Sequence, residues 1–209
     1  MVRNGIFANG EFYHVFNQGV DKRPIVTNIG DSNRFMESLV IFNRIEPVGN
    51  LRDILEAKEP NQSRRPLVNI ICYCLNPNHF HFILEQVATN GVSEFLRRLT
   101  GGYSRYFNKI YKRRGALFQG AYKVKLVSDN DYLLHLSSYV NLNNQVHGLG
   151  QSGLIRSSWQ EYISNANGIC KKGIVLDQFK TLEEFRKFSL DNLVFMKSKR
   201  VDYKDLESE

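Results

Sequence analysis

The sequence predicts an α+β fold, an antiparallel sheet covered by helices. Three observations lead there. Leu67–Leu75 (LVNIICYCL) and His79–Gln86 (HFHFILEQ) are strand-length apolar runs joined by Asn76-Pro77-Asn78, and turn chemistry between two such runs predicts a β-hairpin. Three other segments, near residues 31–45, 93–111 and 129–143, repeat apolar residues at three and four, which is helical spacing. Strands and helices are interspersed along one chain of 209 residues, a length suited to one ordinary domain or one domain plus a tail.

Taken in order, Glu11–Val20 (EFYHVFNQGV) is aromatic and β-branched and predicts the first strand. A helix follows over Asp31–Ile45, with Phe35, Leu39, Phe42 and Ile45 on one face and Asp31, Ser32 or Asn33 as its cap. Pro47–Pro66 is polar and proline-rich and reads as a connection with one helical turn around Leu51–Ala57. In the hairpin, a turn centred on Pro77 would set Leu75 opposite His79 and Tyr73 opposite His81. Cys72 and Cys74 would then share the opposite face with Phe80 and Phe82. Ser93–Tyr111 predicts a helix that Gly101-Gly102 would kink. Ala116–Val127 predicts one bent strand or two short ones, and Asp129–Asn143 a helix capped by Asp129. Leu154–Tyr162 holds the only tryptophan, Trp159. Thr181 with Glu184 opens a last helix in a capping-box pattern. Residues 1–165 thus form the domain, and 166–209 a partly helical extension with a charged tail that frays.

No apolar run approaches the roughly 20 residues that span a bilayer, and the first residues lack an apolar signal region. A cytoplasmic protein without a membrane partner is expected, nucleoid-associated when bound to DNA. Three cysteines, Cys72, Cys74 and Cys170, argue against a disulfide framework and for a reducing compartment.

The chemistry-bearing residues fall in three groups. In a strand, His79 and His81 share one face while Phe80 and Phe82 point away. Roughly 6–7 Å of backbone separates the two imidazoles, so both rings can converge on one ion. Two histidines on a solvated strand face are the plain alternative. Next, the net charge is +7, and the window 97–128 holds nine cations, Arg97, Arg98, Arg105, Lys109, Lys112, Arg113, Arg114, Lys123 and Lys125, with no acid among them. Cations neutralise phosphates, and interleaved aromatics such as Tyr103, Tyr106, Phe107 and Phe118 can stack unpaired bases. Helical spacing alone also explains the aromatics as core. Finally, Tyr139 and Asn143 lie four apart, on one helix face. A tyrosine oxygen can attack a phosphodiester beside a metal, and an amide oxygen can complete the metal's coordination. Chemistry alone does not choose Tyr139 over Tyr132 or Tyr103.

Four stretches together, YHVFNQGVDKRPIV, CYCLNPNHFHFILE, RYFNKIYKRRGALFQGAYK and YLLHLSSYVNLNNQVHG, resemble the single-tyrosine HUH transposases, most closely the REP-associated tyrosine transposases and related insertion-sequence transposases. The resemblance covers about residues 10–165. It implies a ferredoxin-like antiparallel sheet with an HUH endonuclease core. It implies Mg²⁺ or Mn²⁺ held by His79 and His81 with Asn143, and Tyr139 as the nucleophile. The implied reaction cleaves and rejoins single-stranded DNA at or near hairpins through a 5′-phosphotyrosine. The residues expected to approach DNA are Arg97, Arg98, Arg105, Lys112, Arg113, Arg114, Phe118, Gln119, Gly120, Lys123 and Lys125. A homodimer is allowed but not required. The family's helix commonly ends in Asn-Pro, whereas this chain has Asn143-Asn144; the helix can then run on, and the angle of Asn143 depends on that.

Two other readings remain open. One is a catalytically silent hairpin-DNA-binding protein, a repressor or repeat-binding module. The other is a small zinc-stabilised domain using Cys72, Cys74, His79 and His81, which would hold zinc tightly and unfold with chelator.

Overall fold

The computed structural model describes residues 7–48, 65–150, 152–164 and 166–199. The expected helical turn at Leu51–Ala57 and the charged end of the chain lie outside the described residues. Five strands form one antiparallel sheet: β1 (Phe12–Gln18), β2 (Val68–Leu75), β3 (His79–Gln86), β4 (Lys123–Leu126) and β5 (Arg156–Ser157), in the order β4-β1-β3-β2-β5. The helices are α1 (Ile29–Phe42), α2 (Gly91–Ile110), α3 (Asn130–Asn141), α4 (Asn143–Val146), α5 (Trp159–Ile163), α6 (Gly173–Leu176) and α7 (Leu182–Ser198).

The period-2 alternation of the central strands builds two apolar layers. Val15, Phe80, Phe82 and Leu84 face α1 and α2 and pack with Phe35, Leu39, Phe95, Leu99 and Tyr103. The other face carries Cys72, Cys74 and Ile83 against Leu133, Leu136, Tyr139 and Val140 of α3. The C-terminal helices join this second layer through Val175, Phe185, Leu193 and Met196. Ser138 on α3 and Ser189 on α7 are 3.1 Å apart and buried, so α7 grips the helix that carries Tyr139.

The ends of the elements follow from local chemistry. Asn28, rather than Asp31, Ser32 or Asn33, caps α1. Asp31 sits at the third helical position and completes the capping box from there. The Asn43 side chain then accepts from the Leu67 and Val68 amides and donates to the Val68 carbonyl, tying the end of α1 to the start of β2. Asp129 caps α3 and Thr181 caps α7 as expected. The expected strand over Ala116–Val127 shrinks to β4, preceded by an isolated bridge between Gly19 and Phe118. A positive φ at Gly120 breaks the extended path between the bridge and β4.

The hairpin register is one residue away from the expected one. The Asn76 amide donates to the His79 carbonyl at 2.8 Å, so Pro77 and Asn78 alone make the turn. Cys74 therefore pairs with His81, Leu75 with Phe80 and Tyr73 with Phe82. Cys72 and Cys74 lie on the histidine face, because a one-residue slip exchanges the faces.

Helix α2 runs unbroken through Gly101-Gly102. The glycine serves packing instead: a Cβ at Gly102 would come 2.5 Å from the ring of Phe42. Gly102→Ala should therefore destabilise the fold by about 1–3 kcal/mol through overpacking, against the roughly 1 kcal/mol gain of an unhindered helical site. Urea unfolding reads the sign, and a gain in stability would contradict this packing.

Candidate active site

The site is built where β1, β3, α3 and α4 meet. His79 and His81 share a face of β3, as their spacing requires, with ring centroids 5.3 Å apart. His81 is 2 % exposed. Burial first, then the neighbouring His14, His79 and His147, hold its pKa well below the usual imidazole value, so it is neutral.

The Tyr139 ring stands perpendicular to that of His81, with centroids 5.5 Å apart, and is itself 5 % exposed. Helix α3 stops at Asn141, and Leu142 (φ −109°) separates it from α4. The helix does not simply run on through Asn143. The chain re-enters a short helix there, and Asn143 still reaches the site: its Oδ1 lies 2.9 Å from His79 Nε2.

The hydrogen bonds around His79 favour a cation. His79 Nδ1 is 2.7 Å from Asn78 Oδ1; with the proton on Nδ1 donated there, Nε2 carries the lone pair. That lone pair and the Asn143 carbonyl oxygen converge on one place. Asn76 Nδ2 sits against both, 2.8 Å from Nε2 and 2.6 Å from Oδ1. Asn143 Nδ2 is buried without a hydrogen-bond partner. In that tautomer two acceptors face each other beside an unsatisfied amide, an arrangement a divalent cation could occupy. Among the described residues no three His, Cys, Asp or Glu side chains are arranged to hold an ion, and the amide oxygen of Asn143 is the further protein donor beside His79. His79, His81 and Asn143 thus fit Mg²⁺ or Mn²⁺.

Zinc does not fit. Cys74 sits across from His81, but among the described residues no three His, Cys, Asp or Glu side chains are grouped to hold an ion, and burial pushes the Cys72 and Cys74 thiols up to about 12 in the metal-free protein. Cys74 Sγ donates instead to Asn76 Oδ1 at 3.8 Å. Purified protein should carry no stoichiometric zinc, and chelator should leave its thermal midpoint in place. A midpoint that falls on chelation would reinstate the zinc-stabilised domain.

The rival tyrosines separate by position. Tyr103 is fully buried on the far side of the sheet and donates to the Ile25 carbonyl at 2.7 Å. Tyr132 lies on α3 at its opposite end. Two residues of the cluster escape the sequence patterns: His14, whose Nε2 is 3.0 Å from His81 Nδ1, and Asn76. His147, 5.1 Å from His79 by ring centroids, carried a signal, since residues 139, 143 and 147 repeat at four.

The basic residues divide between the faces. β4 pairs Lys123 with Phe16 and Lys125 with His14, so both lysines lie on the histidine face, on the sheet's outer strand. Gln119 joins them, hydrogen-bonded at 2.5 Å to Gln18, which pairs with His79. Arg97, Arg98 and Arg105 sit on α2, across the sheet. Arg97 and Arg98 both bind Glu94, at 2.7 and 2.6 Å, and Arg98 also donates to the Arg44 and Glu46 carbonyls. Lys112 and Arg114 are exposed in the loop after α2, and Arg113 covers the Phe107 ring at 5.6 Å. Phe118 is buried edge-on against Phe80, and Tyr103 and Phe107 are core residues of α2. These rings pack the fold and present no stacking surface.

Residues 49–143 match the family model described as an IS200-like transposase. Over that stretch, just under half of the chain, it is similar to the IS200-like transposases. The matched stretch contains His79, His81, Tyr139 and Asn143. No curated protein matches the chain. Among solved structures, the chain is similar to a REP-associated tyrosine transposase bound to a REP hairpin, at 11 % identity and a TM-score of 0.50, over 82 % of this chain and 93 % of that one. A second, from Deinococcus radiodurans R1 and described as a candidate transposase, is 13 % identical with a TM-score of 0.38, over 73 % of this chain and all of that one. At such identity the first likeness is one of fold, and it agrees with the α+β, HUH-type arrangement of this chain. Among the described residues no helix is long and apolar enough to cross a membrane.

Proposed function

We propose that this protein is an IS200-like transposase that cleaves and rejoins single-stranded DNA at or beside a hairpin through a 5′-phosphotyrosine on Tyr139. The observation that carries the reading is the convergence of Tyr139, His79, His81 and Asn143 at one site. All four come from a single chain, so a homodimer is not needed to complete it. Residues 1–165 carry the chemistry, and the extension from 166 braces α3 through α7.

His79, His81 and Asn143 would hold Mg²⁺ or Mn²⁺, which when bound supplies positive charge against the scissile phosphate. Tyr139 Oη attacks phosphorus, the bond from phosphorus to the 3′ oxygen breaks, and that oxygen leaves as a 3′-OH with a proton. The phosphotyrosine conserves the phosphodiester bond, so a second 3′-OH can attack it, restore Tyr139 and join strands without ATP. Lys123 and Lys125 line the same face and suit the backbone of a strand that crosses β4, while Lys112, Arg113, Arg114 and Gln119 suit DNA at that edge.

Lys123→Ala with Lys125→Ala should weaken binding to the unpaired part of a hairpin substrate and lower its salt slope by about 1–2. Arg97→Ala should leave both unchanged. Equal effects from the two variants, measured by titration at several salt concentrations, would mean the strand takes another path.

One observation favours a second reading, a silent hairpin-binding module: the low exposure of Tyr139. Labelled hairpin oligonucleotides with Mn²⁺ on a denaturing gel separate the two. A metal-dependent covalent band is expected. Retardation on a native gel without any such band, across a broad set of hairpins, would support the silent module.

A further inference from the structure

Both histidines of the cation site have their Nδ1 atoms engaged. For His79 the partner is Asn78 Oδ1, 2.7 Å away. For His81 it is Nε2 of His14, 3.0 Å away and reached from a different strand. Two imidazole nitrogens at that distance share one proton, so one ring must donate and the other accept.

We infer that His14 is a positioning residue: its Nε2 accepts from Nδ1–H of His81, leaving the Nε2 lone pair of His81 as the atom that binds the cation. His14 then does for His81 what Asn78 does for His79. The opposite arrangement would put the proton on His81 Nε2 and remove it as a ligand. The inference rests on the cation site proposed above and deepens it.

The surroundings hold this arrangement. His14 is 4 % exposed and His81 2 %, so bulk water cannot replace the partner. The His14 and His81 rings are nearly parallel, 20° apart with centroids 5.3 Å from each other, and the Phe16 ring lies 5.4 Å from His81 at 15°. The Tyr139 ring stands perpendicular to both imidazoles, 6.2 Å from His14 and 5.5 Å from His81 by centroids. His14 thereby fixes the ring plane of a metal ligand and one wall of the nucleophile's pocket. Metal-bound histidines usually place the second nitrogen on a carboxylate or carbonyl. A neutral imidazole lends less negative charge, which suits a cation that exchanges.

Side-chain ¹⁵N correlation spectra of the metal-free protein test the inference directly, with His14→Gln and His14→Phe for assignment. His81 should appear with its proton on Nδ1. His14→Phe should release that tautomer and weaken Mn²⁺ binding, measured by calorimetry, by about 10–100-fold, with circular dichroism unchanged. His14→Gln, whose side-chain oxygen can accept the same proton, should restore both. If His14→Phe does not fold, the wild-type spectrum and His14→Gln decide. A wild-type His81 protonated on Nε2, or Mn²⁺ binding unaltered in folded His14→Phe, overturns the inference. Wild-type protein that shows Nδ1–H on His81 but takes up no Mn²⁺ would sink the cation reading while leaving the tautomer role of His14 intact.

Discussion

Tyr139→Phe is expected to abolish the covalent DNA product, by roughly 10⁴-fold or more, the scale seen when an enzyme loses its nucleophile. The substitution removes one oxygen and keeps the ring, so the ring contacts with His81 and His14 persist. Hairpin binding and thermal stability should stay near wild type. No neighbour can take over. Tyr103 is sealed on the other side of the sheet with its hydroxyl on the Ile25 carbonyl. Tyr132 precedes Tyr139 by about two helical turns, roughly 10 Å along α3. A denaturing gel compares the two proteins. An adduct that survives in Tyr139→Phe would leave the fold as described and move the nucleophile to Tyr132.

The second large effect belongs to the proposed cation site. His79→Ala should cut metal-dependent cleavage by roughly 10²–10³-fold, as removal of one electrostatic stabiliser does. Asn143 allows a sharper contrast. Asn143→Asp keeps an oxygen for Asn76 Nδ2 to donate to and adds a charge, so Mn²⁺ should bind more tightly than in wild type. Asn143→Ala should bind it more weakly. Calorimetry with Mn²⁺ reads both without any DNA. Equal Mn²⁺ affinity in all three proteins would mean that Asn143 is not a ligand.

How far the sequence reveals this arrangement depends on the range of each contact. His79 and His81 are legible because a strand repeats every two residues, and Tyr139 with Asn143 because a helix repeats near four. Both are local patterns. His14 is invisible by the same standard: its contact with His81 spans 67 residues, and no single-chain pattern places β1 beside β3. Asn76 looks like ordinary turn chemistry, yet its side chain points inward to His79 and Asn143. The hairpin register turned on one residue, a two-residue rather than a three-residue loop, and that moved Cys72 and Cys74 to the histidine face. The basic window was visible as composition, but its division between Lys123 and Lys125 on one face and Arg97, Arg98 and Arg105 on the other depends on which side of the sheet α2 packs. The family resemblance drawn from the motifs agrees with the match over residues 49–143.

The central claim is that Tyr139 forms the bond to DNA. It is tested most directly by trapping the product of a hairpin oligonucleotide with Mn²⁺, digesting the protein and locating the added nucleotide mass. The account predicts a 5′-phosphate ester on the tyrosine of the SSYVNLN segment, Tyr139. Modification at Tyr132, or cleaved DNA with no mass added to any peptide, would contradict it.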